Sequence, residues 1–169
     1  MNTIVTKFGG SSLADANQFK KVKDIIFSNS ERKYVVPSAP GKRNSKDSKI
    51  TDLLYLCQAH VSTGIAFDDV FNLIKDRYCG IIKDLELDYD ITEHLNVIKK
   101  DLEEGASSDY AASRGEYLNG LILANYLGFQ FIDAKDVIVF NADGSLDSDA
   151  TNSALNSKLS KISNAVIPG

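Results

Sequence analysis

Two cysteines, two histidines, a single methionine and no tryptophan leave this 169-residue chain few side chains for redox or metal chemistry. Cys57 and Cys79 are too few for a disulfide scaffold. Both fall in helix-like stretches, where a lone cysteine reads as a small buried hydrophobe. His60 and His94 have no cysteine or acidic partner at ligand spacing, which speaks against a structural zinc site. No apolar run approaches the roughly 18–20 residues that a membrane-spanning helix needs. The N-terminus has no charged-then-apolar leader, so the expected location is the cytoplasm. Three phosphate and nucleophile signatures are also missing: the G-x-x-x-x-G-K-[ST] loop, the G-x-G-x-x-G turn and the G-x-S-x-G elbow. With a net charge of −4 the chain is a poor match for nucleic acid, and any anionic ligand needs positive charge placed locally.

What is present describes a globular α/β protein. Apolar residues make up 43% and charged residues 25%, the balance of a chain that buries a core. No internal repeat or low-complexity segment interrupts it. Ile4 to Phe8 reads as a strand, and Ala14 to Phe27 as a helix with Phe19, Val22, Ile25 and Ile26 on one face. Lys33 to Pro37 reads as a second strand, closed by the turn cluster Pro37-Ser38-Ala39-Pro40-Gly41.

From Thr51 to Leu127 the pattern is almost entirely helical. Its stripes start with Leu53, Leu54, Leu56 and Cys57, then run through Phe67, Val70, Phe71, Ile74, Tyr78, Ile81, Ile82 and Leu85. Leu95, Ile98 and Leu102 mark a third helix. Asp109 to Leu127 forms a fourth, with Gly128 placed as its C-cap. Phe129–Ile132 and Val137–Phe140 then read as strands around the polar turn Asn141–Ser145. A helix carrying Ala154, Leu155, Leu159 and Ile162 leads into a last strand at Ala165-Val166-Ile167. Strands alternating with helices predict a mainly parallel sheet covered on both faces, a three-layer αβα sandwich. So few strands for so many helices predict an incomplete domain, the N-terminal part of a longer protein.

The most informative segment is Lys7-Phe8-Gly9-Gly10-Ser11-Ser12. A strand fixes Lys7, and paired glycines remove side chains that would keep a polyanion from the backbone N–H groups. The following helix is expected to aim its positive dipole end at the same spot, with Ser12 and Asp15 as candidate caps. An ordinary βα turn with a surface lysine is the plainer alternative. In an open parallel sheet, sites form beyond the carboxyl ends of the strands. Two further groups fall there: Ser38-Ala39 with Thr51-Asp52, and Ser113-Arg114-Gly115-Glu116. Around Glu116 the helix face is small or polar (Ala112, Ser113, Gly115, Asn119, Gly120), which suits either close helix packing or the close approach of a ligand. Gly41 to Ile50 carries Lys42, Arg43, Lys46 and Lys49 against Asp47 alone. That stretch reads as a solvated loop or as a cationic neighbour of the phosphate site.

Together these residues resemble the aspartate kinases of the amino acid kinase superfamily, whose fold is of the carbamate kinase-like type. Lys7-Phe8-Gly9-Gly10-Ser11-Ser12 is similar to the family's K-F-G-G-[ST]-S opening, and Val35-Val36-Pro37-Ser38-Ala39 to its V-V-x-S-A segment. Ile50-Thr51-Asp52-Leu53-Leu54 is similar to I-T-[ND]-L-L, and Ser113-Arg114-Gly115-Glu116 to S-x-G-E. The resemblance implies ATP-dependent phosphorylation of the L-aspartate side-chain carboxylate to 4-phospho-L-aspartate, the first step towards lysine, threonine and methionine. It implies Lys7 as the catalytic cation, and Lys7, Phe8, Gly9, Gly10 and Ser11 as ATP-binding residues. Ser38, Thr51 and Glu116 would hold aspartate, Glu116 facing its ammonium. Mg2+ would arrive with ATP, with no protein ligand assigned.

Residues 1–169 would then be the N-terminal part of the catalytic domain, with a helical insert at about 52–127. The substrate-pairing arginine, the G-R-G-G-S-D segment, the adenine-binding strands and the regulatory ACT domains are expected beyond Gly169. On that expectation the chain is inactive alone and its parent a homo-oligomer. Pro37, Pro40 and the basic insert before Thr51 depart from the family pattern in the second loop. A sibling kinase for glutamate or acetylglutamate, and a non-catalytic binding module, are the competing expectations.

Overall fold

Alternation along the strands decides which helices cover which face of the sheet. In this computed structural model, which describes residues 2–169, four parallel strands stand in the order β1-β2-β4-β3. They are β1 (Ile4–Phe8), β2 (Arg32–Pro37), β3 (Gln130–Phe131) and β4 (Ala165–Val166). Val35 and Val166 point into the larger core cluster, whereas Tyr34, Ala165 and Ile167 point into a second one on the other face. Successive side chains of a strand face opposite ways, so one sheet serves two cores.

The larger cluster is filled by α1 (Ala16–Phe27), α2 (Ile50–Ser62), α3 (Asp68–Asp84), α4 (Thr92–Glu103) and α5 (Ser108–Leu127). On the opposite face α6 (Ser148–Leu159) brings Ala154, Leu155 and Leu159 against Tyr34 and Ile167. This is the α/β arrangement with helices on both faces of a parallel sheet that the alternating pattern predicts. The four helices α2 to α5 all lie between β2 and β3 in the chain.

α5 is the element that carries the site. Ser107 caps its start by accepting the Tyr110 N–H, and Gly128 ends it in the left-handed region at φ 70°. Only glycine enters that region without a Cβ penalty. Gly115 sits where α5 crosses α2: a Cβ there would lie 2.9 Å from the Ala39 Cβ, 3.2 Å from Leu54 Cδ1 and 3.3 Å from Ile50 Cγ2. Gly120 similarly abuts the Phe131 ring, at 2.9 Å. The glycines of this face therefore serve close packing.

Gly115→Ala should lower stability even though alanine favours a helix by about 1 kcal/mol. Overpacking a rigid contact costs about 1–3 kcal/mol, so the expected net result is a fall in Tm of a few degrees. Adding Ala39→Gly should recover most of the loss in thermal melts; no recovery would show that the contact is not the cause.

Two expectations are corrected. Val137–Phe140 is not a strand. Asp133 accepts the Lys135 N–H and turns the chain into a 3₁₀ turn at Ala134–Asp136, and Thr151 Oγ1 takes the Val139 N–H. Only an isolated antiparallel bridge, Phe140 to Leu146, closes the polar turn there. The first helix begins at Ala16 rather than Ala14, because Asp15 wins the capping position by accepting the Gln18 N–H. Ser12 lies instead in a 3₁₀ turn, Gly10–Leu13.

Candidate active site

Strands β1 and β2 end side by side, with Lys7 opposite Val36 and Phe8 opposite Pro37. The Ser38 N–H continues the ladder to the Phe8 carbonyl at 2.9 Å, which seats Ser38 directly beyond the strand end. Phe8 turns its ring towards the larger core cluster, so its contribution to this edge is its backbone. Lys7 is on the other face of β1 and exposed.

The two glycines after β1 do different things. A Cβ on Gly10 would lie 2.8 Å from the Ala39 carbonyl oxygen, and one on Gly41 would lie 2.7 Å from the Gly10 carbonyl carbon. Gly41 N–H donates to Gly10 O at 2.8 Å across this contact. Backbone against backbone leaves nothing that can move aside, so both positions require glycine. At Gly9 a Cβ would meet nothing within 4 Å. The Cβ direction of Gly9 is open, while its carbonyl accepts the Ser12 N–H at 3.0 Å.

These loops enclose a cleft of about 530 Å³. Gly10 and Ser11 line one side, Ser38 to Lys42 another, and Lys49, Thr51 and Glu116 complete it. The structure thus brings together Gly10, Ser11, Ser38, Thr51 and Glu116 from four separate segments. The start of α1 does not join them: capped by Asp15, it opens on a different cleft beside Lys20, Lys83 and Glu86. The helix end that reaches the site belongs to α2, whose N-cap Lys49 makes no capping hydrogen bond. Its Thr51 lines the cleft and its positive dipole end points there. Thr51 thus opens a helix as expected, but the dipole at this cleft is that of α2 and not of α1.

Glu116 is half-buried. Burial pushes its carboxyl above the ordinary 4.5, and the positive charge of Lys7 pulls it part of the way back. A Cβ on Gly169 would lie 3.7 Å from Glu116 Oε2 and 3.5 Å from Val36 Cγ1. The carboxylate therefore sits over the strand ends, on the side of Val36, the register partner of Lys7. Lys7, Phe8 and Gly9 do not themselves line the cleft, but the register of β1 with β2 puts Lys7 at the same edge of the sheet as Glu116.

One turn further along α5, Asn119 is fully buried and its amide N–H donates to the Ser38 carbonyl at 2.7 Å. It ties the Ser38 loop to the helix that carries Glu116. The rest of the Ser-Arg-Gly-Glu motif points elsewhere. Arg114 is held between the rings of Tyr110 and Tyr117, at 4.7 and 4.6 Å, beside neighbouring clefts. Among the described residues no group of three or more His, Cys, Asp or Glu is placed to hold a metal ion, and no helix is long and apolar enough to cross a membrane.

The family profile described as "Amino acid kinase family" matches residues 2–167. The chain belongs to the amino acid kinase family.

Within that family its similarity is to aspartate kinases. It is 37% identical over 140 residues to aspartokinase 3 of Bacillus subtilis (strain 168), covering 79% of this chain and 31% of that protein. It is 30% identical over 163 residues to the chloroplastic aspartokinase 1 of Arabidopsis thaliana, covering 89% of this chain and 28% of that one. The solved aspartate kinase of Clostridium acetobutylicum superposes with a TM-score of 0.97 at 60% identity, over 100% of this chain and 39% of the other. E. coli aspartokinase III, solved with aspartate and ADP, shares the fold at 22% identity and a TM-score of 0.79. The chain thus spans under a third of the length of these curated relatives. In this amino acid kinase the cleft lies where the four sequence motifs converge.

Proposed function

We propose that this chain supplies the phosphate- and acceptor-binding edge of an aspartate kinase, which transfers the γ-phosphoryl group of Mg-ATP to the side-chain carboxylate of L-aspartate. A carboxylate oxygen attacks the γ-phosphorus, the bond to the β,γ-bridging oxygen breaks, and ADP and 4-phospho-L-aspartate result. The observation that carries the reading is the cleft beyond the carboxyl ends of β1 and β2, where Gly10, Ser11, Ser38, Thr51 and Glu116 meet.

Phosphoryl transfer depends on positioning and electrostatic stabilisation rather than covalent help from protein. Lys7 meets the charge developing on the transferred oxygens. The peptides of Phe8, Gly9 and Gly10 and the Ser11 hydroxyl receive phosphate oxygens. Ser38 and Thr51 orient the acceptor, and Glu116 pairs with its ammonium. Mg2+ enters with the nucleotide as part of the substrate. In this reading the 169 residues are the N-terminal part of the catalytic domain, and adenine binding and end-product sensing belong to chain outside them.

The test is an acceptor panel with Mg-ATP, run on the protein that carries this chain and read by trapping the acyl phosphate with hydroxylamine. Aspartate should be used at least about 10²-fold better, in kcat/KM, than glutamate or N-acetylglutamate, because a site built around charged partners rejects misplaced ones. Equal use of glutamate, or no acyl phosphate at all, would overturn the assignment.

A further inference from the structure

Among the described residues one charged side chain is buried: Arg77 of α3, 6% exposed. It lies outside every motif that marks the cleft, yet its guanidinium is aimed at the loop that walls it. Nη1 donates to the Gly41 carbonyl at 2.9 Å, and Nη2 donates to Asp47 Oδ2 at 2.6 Å and to the Ser48 carbonyl at 3.3 Å. Asp47 also accepts from the Arg43 N–H at 2.8 Å, from Nε at 2.9 Å and from Nη2 at 3.0 Å. These bonds hold the Asp47 carboxyl well below the usual carboxylate range.

The consequence is a sorting of charge. Between Gly41 and Lys49 the loop has four cations and one acid. Arg77 and Arg43 claim the acid and draw it inward, so no carboxylate of this loop offsets the remaining lysines. Two of these, Lys42 and Lys49, line the cleft. The same clamp reaches the phosphate segment: Gly41 is held at its carbonyl by Arg77 and at its N–H by Gly10. Burying a guanidinium is costly unless it is fully paired, and its worth then lies in specifying one arrangement. Its planar fork can hold three acceptors at once, which an ammonium on a flexible stem does not reproduce.

We propose that Arg77 is a positioning residue that latches the Gly41–Lys49 loop as a cationic wall of the cleft, with Lys42 and Lys49 receiving a multiply charged anion. That anion is the nucleotide polyphosphate or the dicarboxylate acceptor, and its identity rests on the kinase reading above; the latch itself does not. In a chain of net charge −4, such a wall supplies the local attraction that an anion needs.

The experiment has two arms, both on the protein that carries this chain. In the first, Lys42→Gln/Lys49→Gln should raise KM about tenfold at low salt, with kcat within about twofold and the effect shrinking at high salt. A shift in KM for Mg-ATP assigns the wall to the polyphosphate, and a shift for aspartate assigns it to the acceptor. No shift in either overturns the role of the lysines. In the second arm, trypsin cleavage after Lys42, Arg43, Lys46 and Lys49 is timed. Arg77→Lys and Asp47→Asn should each speed it at least about tenfold and raise the same KM; Asp47→Asn serves if Arg77→Lys fails to fold. Cleavage unchanged in the folded variants overturns the latch. If aspartate is not phosphorylated at all, the kinase reading fails separately. The wall is then judged by calorimetry with inorganic tripolyphosphate, whose binding Lys42→Gln/Lys49→Gln must weaken about tenfold.

Discussion

Replacing Lys7 with alanine is expected to lower kcat for aspartate phosphorylation about 10²–10³-fold, the usual loss when one preorganised charge-stabilising donor is removed. The fold should survive. Lys7 is exposed and makes no ion pair among the described residues, so little packing is lost with it. Tm should stay within a degree or two while activity collapses. KM for Mg-ATP should rise less than kcat falls, because the lysine acts mainly on charge that appears during transfer. Lys7→Arg keeps the charge but moves it on a longer, planar group, so it should recover only part of the rate. Ordinary turnover in the alanine variant would remove Lys7 from the mechanism.

Much of this site was legible because its parts are local. The Lys7 to Ser12 segment, the turn after β2 and the start of α2 each carry their meaning in fewer than ten residues, and parallel topology puts strand ends on one edge. What escaped depends on distant partners. The apolar stripe of α3 was plain from Phe71, Ile74 and Tyr78, but nothing near Arg77 in the chain reveals that a buried guanidinium finds Asp47 thirty positions earlier. Its neighbour in the stripe, Tyr78, donates its hydroxyl to the Gly115 carbonyl at 2.7 Å, another pairing invisible to periodicity.

The dipole that reaches the cleft belongs to α2, not to α1, whose start opens on another cleft. Ser12 and Asp15 both suit a cap; Asp15 takes the position by accepting the Gln18 N–H, and Ser12 lies in the 3₁₀ turn before α1. Val137–Phe140 has the composition of a strand but loses its ladder donors to Asp133's turn and to Thr151. The glycines near Glu116 were rightly open to two readings, packing or ligand approach. Contacts with Ala39 and Phe131 account for Gly115 and Gly120 by packing.

Glu116→Gln should raise KM for aspartate about 10–100-fold, the effect of losing a charged partner for a buried ammonium, with KM for Mg-ATP little changed. Its pH behaviour separates binding from stability. Burial raises the Glu116 pKa above 4.5, so the folded chain keeps this proton at pH values where the unfolded chain has released it. Stability from this group is therefore greatest at low pH and declines as pH climbs through that window. Aspartate affinity runs the opposite way, since the ammonium needs the ionised acid.

The unliganded Glu116→Gln protein should accordingly melt at the wild-type temperature near about pH 4 and slightly above it at neutral pH, while binding aspartate poorly throughout. Lys7 adds a coupled expectation. Its charge pulls the Glu116 pKa down, so Lys7→Ala should move the acidic limb of aspartate binding to higher pH, and it should move nothing when Glu116 is already glutamine. A limb that stays in place in Lys7→Ala would mean that the two groups do not feel each other at the strand ends.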